Sequence, residues 1–289
     1  MAEPGLTTDI LVRGLIVGAS KHLGTRIVME YRPGAGGSLA AAFVSTAKPD
    51  GYTLFSGTAS TIIDGALTRK VPFSPLKSFT PITAFAASEH TATVVHPNAP
   101  WKTFKEFVDD AKKNPDKIRM GVSPGSGMHM AMEFVKHQEG LDWVYVPFPS
   151  AGPARTAVAG GHLDSASVGT DWGPLVESGM LRVLVTHGKS RALPDIPTLM
   201  ELGYDFDASM PQAILGPAGL PADVVAKLED AFAKGMETPE FKTALQQVFV
   251  SPFYLNSKGY GDYLRQRWAT YEKLYKQFGV IKEAATQPE

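Results

Sequence analysis

The chain has 289 residues, 44% hydrophobic and 20% charged, with 28 Lys and Arg against 29 Asp and Glu. Its basic residues are dispersed, which excludes a nucleic-acid-binding footprint, and no apolar run reaches the roughly 18 residues of a membrane-spanning helix. Cysteine is absent, which excludes disulfides, a thiol nucleophile and a cysteine-held metal, and the length suits two α/β domains or one large one.

In chain order, Thr7 or Thr8 with Asp9 caps a first helix that places Ile10, Leu11, Leu15 and Ala19 on one face and stops at Gly24. Residues 27–31 read as a strand, 38–47 as a helix closed by Pro49-Asp-Gly51, and 52–55 as the next strand. Residues 80–97 read as extended, after which Thr103 and Glu106 form a capping box for a helix over 103–114. Strands at 118–122, 143–146, 165–168 and 181–186 then alternate with helices at 127–138, 152–160 and 171–179, the rhythm of a mostly parallel sheet. Pro221 and Thr238-Pro239 open two further helices. In the last helix, over 258–278, Tyr260, Leu264, Trp268, Tyr271 and Tyr275 share a stripe that reads as a core-packing face rather than an aromatic ligand box. Two Pro-punctuated segments, near 95–102 and 209–217, read as crossovers, giving lobes of 1–98 plus 212–289 and of 99–211.

Four turns of small residues follow β-like runs: Arg32-Pro-Gly-Ala-Gly-Gly-Ser38, Ser56-Gly-Thr-Ala-Ser-Thr61, Ser123-Pro-Gly-Ser-Gly-Met-His129 and Pro149-Ser-Ala-Gly-Pro-Ala-Arg155. Such turns leave backbone N–H groups uncovered at a helix N-terminus, where the helix dipole also favours an anion. The pattern points to an anionic small molecule held by amides and hydroxyls, with no reactive side chain.

Rival readings are weaker. Gly121-Val-Ser-Pro-Gly125 matches the G-x-S-x-G nucleophile pattern, but Pro124 has no N–H to offer an oxyanion, and no spacing ties Ser123 to His162 or His187. Gly34-Ala-Gly-Gly-Ser38 lacks the remaining glycine and acidic residue of a dinucleotide loop. The seven histidines make no metal-binding pair, although His129 and Glu133 sit one helical turn apart. Asp171 and Trp172, at a strand's C-terminal end, read equally as ligand acceptor and wall or as helix cap and core tryptophan. Arg155 reads as a partner for a second carboxylate or as a solvent-facing residue. No cofactor and no metal is expected.

Arg32-Pro-Gly-Ala-Gly-Gly-Ser38, Pro49-Asp-Gly-Tyr-Thr-Leu54, Ser190-Arg-Ala-Leu-Pro-Asp-Ile-Pro-Thr198 and Gly216-Pro-Ala-Gly-Leu-Pro221 occur in that order. Together they resemble the periplasmic substrate-binding proteins of tripartite tricarboxylate transporters, the Bug or TctC family. Val146-Pro-Phe-Pro-Ser-Ala-Gly-Pro-Ala154 and Gly160-Gly-His-Leu-Asp164 resemble two further stretches, so the likeness runs from about Thr7 to about Gly279. The resemblance implies an α/β fold of two lobes, of the periplasmic-binding-protein or Venus-flytrap type, with mixed, mostly parallel sheets and a cleft between the lobes. It implies no catalysis, a monomer, and a small carboxylate ligand: a mono-, di- or tricarboxylate, an acidic amino acid or an aromatic acid. Its partners would be the membrane permease subunits of a tripartite transporter, and its place the periplasm. Carried over residue by residue, the resemblance and the turns give as ligand-binding candidates Gly5, Thr7, Thr8, Asp9, Thr58, Ser60, Ser123, Ser126, Ser150, Ala151, Gly152, Ala154 and Asp171.

The sequence departs from the family pattern in three places. It starts inside the region where the family has a complete first strand, so an exposed sheet edge is expected, and no export signal stands at Met1, being removed or lost with that strand. Phe148-Pro149-Ser150 replaces the usual Tyr-Lys-Gly, which implies a less charged ligand than citrate, and the usual aromatic near Met210 and Gln212 is missing. Alternative readings are a receptor that presents its ligand to a membrane sensor kinase, an esterase using Ser123, and a truncated or wrongly started reading frame.

Overall fold

A computed structural model describes residues 7–32, 34, 37–248, 250–279 and 281. The chain forms two compact units, Met1–Ala87 with Met210–Glu289, and Ser88–Ser209. The first division falls earlier than the 98/99 boundary expected from the sequence. The reason is that the extended run after residue 80 is two strands, β2 (Phe79–Ser88) and β3 (Ala92–Val95), in two different sheets.

The sheet of the first unit has the order β1-β8-β2-β9, with β1 (Phe55–Thr58), β8 (Met210–Pro217) and β9 (Ser251–Leu255) beside β2. β1 runs antiparallel to β8, pairing Phe55 with Leu215 and Thr58 with Gln212. Alternation along β8 sends Ile214 into an apolar core with Leu11, Leu15 and Phe85, where helices α1 (Thr7–Leu23), α9 (Ala222–Met236) and α10 (Pro239–Gln247) pack. The close crossing of α1 and α9 requires glycine. A Cβ on Gly18 would stand 2.8 Å from the Gly235 Cα, and one on Gly235 would stand 2.7 Å from the Leu15 carbonyl oxygen. Elsewhere in the unit, α4 (Asp64–Thr68) is tied to α11 (Ser257–Gln277) by a buried ion pair between Asp64 and Arg267. Tyr260, Leu264, Trp268, Tyr271 and Tyr275 are all buried along α11, so the aromatic stripe is a core face.

Residues 26–32 were expected to include a strand over 27–31 and do not form one. They are fastened to α1 by side chains instead: the Ile27 N–H donates to Ser20 Oγ at 3.1 Å, and the Tyr31 hydroxyl donates to Asp9 Oδ1 at 2.5 Å. Val28 is 74% exposed there. Between this segment and β1 lies an apolar cavity of about 250 Å³ lined by Val12, Ile16, Met29, Val44 and Phe55 among others.

The sheet of the second unit has the order β5-β4-β6-β3-β7, adding β4 (Arg119–Val122), β5 (Val144–Pro147), β6 (Ser165–Val168) and β7 (Arg182–Thr186) to β3. β4 is parallel to β5 and β6, while β3 runs antiparallel to β6 and β7, so the sheet is mixed. Helix α5 (Phe104–Lys113) starts on the expected capping box, Thr103 Oγ1 accepting from the Glu106 N–H at 3.1 Å while Glu106 Oε2 accepts from the Thr103 N–H at 3.3 Å. Ala154, Val158, Leu163, Ala166, Trp172 and Val183 form a core on one face of the sheet.

After β7, residues 187–190 lace together the two segments by which the chain enters and leaves this unit. The His187 N–H donates to the Thr91 carbonyl at 2.8 Å, and the Ala208 N–H donates to the His187 carbonyl at 3.1 Å. Ser190 Oγ donates to Glu89 Oε2 at 2.7 Å, and Lys189 Nζ lies 3.2 Å from Asp207 Oδ2. Only glycine fits at 188, where a Cβ would stand 2.1 Å from the Glu89 carbonyl oxygen.

Candidate ligand-binding site

In the first unit the expected residues gather at one end of the sheet. Thr58 closes β1 and caps α3 (Ala59–Ile62), accepting from the Thr61 N–H at 3.3 Å, and Ser60 lies within α3. Opposite Thr58 stands Gln212, whose Oε1 accepts from the Thr8 hydroxyl at 3.2 Å. That bond brings Thr7, Thr8 and Asp9, the first turn of α1, to the same end as Thr58. Gly5 lies outside the described residues.

Asp9 is held internally. It is 3% exposed and accepts from Arg13 Nε at 2.7 Å as well as from Tyr31. The Asp9 hydrogen bond raises the Tyr31 hydroxyl's pKa above its usual value, and hydrogen bonding to Asp9 together with its charge does the same for Arg13. The carboxylate serves to anchor residues 26–32 on α1. What this end offers a guest is neutral: hydroxyls, the Gln212 carboxamide and the N–H groups that a helix leaves unpaired in its first turn.

In the second unit, the parallel alignment of β4, β5 and β6 puts the segments that follow them at one end of the sheet. These segments carry Ser123 and Ser126 after β4, Ser150, Ala151, Gly152 and Ala154 after β5, and Asp171 after β6. Ser126 caps α6 (Gly127–Glu139), accepting from the His129 N–H at 3.2 Å. Ser150 precedes α7 (Ala151–Ala159) without a side-chain cap bond, so its hydroxyl and the first amides of α7 stay available. Ala154 is fully buried and contributes backbone only. Asp171 is ion-paired with Arg155, whose Nη1 also donates to the Asp171 carbonyl at 2.6 Å. Here too charge is matched internally.

The hydrolase reading fails on geometry. Among the described residues Ser123 Oγ has no hydrogen-bonded histidine: His129 Nδ1 accepts from the Gly125 N–H at 3.2 Å and its Nε2 lies 3.5 Å from Glu133 Oε1. His187 is buried between Thr91 and Thr93. No group of three or more His, Cys, Asp or Glu able to hold a metal occurs among the described residues, and none of their helices is long and apolar enough to cross a membrane. Gln212, not among the candidates read from the sequence, joins them at this end because of its bond to Thr8, 204 positions away.

Two α/β units linked by two chain crossings, with polar helix starts gathered at strand ends, define a solute-binding receptor of the periplasmic-binding-protein class. The chain belongs to the tripartite tricarboxylate transporter family of receptors, whose model matches residues 11–280. The family is one of substrate-binding receptors, not enzymes. The chain is 34% identical over 282 residues to the UPF0065 protein in the gbd 5′ region of Cupriavidus necator, covering 96% of this chain and 85% of that one. MatC from Rhodopseudomonas palustris, solved with bound malate, superposes with a TM-score of 0.79 at 25% identity, covering 94% of this chain and 95% of that one. A second R. palustris protein, solved with adipate, gives a TM-score of 0.84 at 25% identity, covering 96% and 94%.

Proposed function

We propose that this receptor acts in the periplasm, binds a small linear dicarboxylate and presents it to the membrane permease of a tripartite uptake system. The observation that carries the ligand class is the neutrality of both polar groups. The start of α7 is uncapped, and the charged side chains at hand, Asp9 with Arg13 and Asp171 with Arg155, are paired with each other. Amide and hydroxyl donors stabilise a carboxylate without the excess positive charge that a tricarboxylate calls for. Malate and adipate, held by two structural neighbours, fall in this class. In this reading the ligand-binding residues are Thr7, Thr8, Thr58 and Ser60 in the first unit, and Ser123, Ser126, Ser150, Ala151, Gly152 and Ala154 in the second.

Titration calorimetry at pH 7 with adipate, malate, citrate and the diamine putrescine checks the reading. Saturable binding of adipate or malate, weaker binding of citrate and none of putrescine is expected. Failure of every dicarboxylate to bind would overturn it.

A further inference from the structure

We propose that Gln212 is a specificity-determining residue, its carboxamide NH₂ donating to a carboxylate of the bound ligand; the inference rests on the ligand class proposed above and deepens it. Gln212 is 3% exposed. Its Oε1 is occupied by the Thr8 hydroxyl at 3.2 Å, while its Nε2 has no hydrogen-bond partner among the described residues. Nε2 is not one of the buried orphaned atoms: the side chain is held in the interior while its donor reaches the surface, where it is open to a solute.

The surroundings say what that solute is. Register puts Gln212 opposite Thr58 and two residues from Ile214, on the face of β8 that packs toward α1. The Thr8 bond then fixes the carboxamide against the first turn of a 17-residue helix. An N–H donor beside a helix N-terminus favours an acceptor with negative charge. The one carboxylate of that turn, Asp9, already accepts from Arg13 and Tyr31. A neutral donor in this position accepts a carboxylate oxygen and turns away an ammonium group.

The test compares adipate affinity of the wild-type protein and Gln212→Glu at pH 7. The substitution keeps the length of the side chain and the acceptor for Thr8, but replaces the donor by an anion. A charge-assisted hydrogen bond corresponds to roughly tenfold to a hundredfold in affinity, and like-charge repulsion adds to its loss, so a drop of at least about thirtyfold at pH 7 is expected. Equal binding by the variant at pH 7 would overturn the donor role. Should the variant fail to fold, Gln212→Met takes its place: about a tenfold loss with an unchanged ligand-free melting temperature supports the role, and unchanged affinity overturns it. If the wild-type protein itself ignores every dicarboxylate, it is the receptor reading that falls.

Discussion

Arg267→Ala is expected to destabilise the first unit by about 3–5 kcal/mol, because it strands a charge in the interior. Asp64 is fully buried and Arg267 is 5% exposed. The guanidinium meets both carboxylate oxygens, Nε to Oδ1 at 3.1 Å and Nη2 to Oδ2 at 2.9 Å. The Tyr263 hydroxyl accepts from Nη1 at 3.1 Å, and the Tyr271 ring lies beneath the guanidinium at 4.0 Å. Burial disfavours the charged guanidinium, yet Asp64 together with Tyr263 and Tyr271 more than compensates and holds its pKa well above the ordinary value. Removing Arg267 leaves the Asp64 carboxylate desolvated and detaches the five-residue α4 from α11. The double variant Asp64→Leu with Arg267→Met, which removes both charges, is expected to recover most of the loss, since an ion pair out of water gains little over apolar packing of similar volume. Equilibrium urea unfolding reads both. A single-variant loss below about 1 kcal/mol, the range of a solvent-exposed pair, would contradict this account.

Acid should weaken the second unit through His187. The ring is buried, with Nε2 2.9 Å from Thr93 Oγ1 and Nδ1 3.2 Å from Thr91 Oγ1. The Thr93 hydroxyl donates to Met132 Sδ at 3.2 Å, so it accepts from Nε2–H and leaves Nδ1 to accept from Thr91. The neutral ring therefore satisfies every bond, and burial lowers the pKa from 6.5 to about 3. In the unfolded chain the same histidine takes its proton near pH 6.5. The stability this buried neutral ring permits is complete above that pH and is lost as pH falls toward 3. The loss runs at about 1.4 kcal/mol per pH unit, or about 2.7 kcal/mol by pH 4.5. Because His187 also accepts from Ala208 and donates to Thr91 through its backbone, loosening it releases both segments that join this unit to the other. His187→Gln, which has no titrating group, should show a flatter acid limb in melting temperature against pH. Parallel curves for the two proteins would contradict the assignment.

The sequence revealed the elements whose signals are local. The Thr103–Glu106 capping box and the Thr238-Pro239 start appear as helix N-termini because a cap needs only its own first turn. Strands depend on partners, and there the sequence was less reliable. Residues 27–31 have strand-like composition, yet they are bound to α1 by Ser20 and Asp9 rather than to a neighbouring strand. Conversely, Ser251–Leu255 was not foreseen as a strand because it carries Pro252, a residue tolerated at the sheet edge that β9 occupies. The break over Glu89, His90 and Thr91 carries no Gly or Pro, which is why β2 and β3 read as one extended run.

The candidate site divides in the same way. Its small-residue turns were legible from composition alone, and parallel pairing brings the two that follow β4 and β5 to one end of the second sheet, beside the segment after β6 that carries Asp171. The pairing of Asp171 with Arg155 and of Thr8 with Gln212 was not, since both depend on tertiary contacts between residues 16 and 204 positions apart.

The most direct measurement is a crystal structure of the protein grown with adipate. The account predicts a ligand carboxylate within hydrogen-bonding distance of Thr8 and Gln212. Adipate seated instead in the apolar cavity beside Met29 and Phe55, with the Gln212 amide still unpartnered, would contradict it.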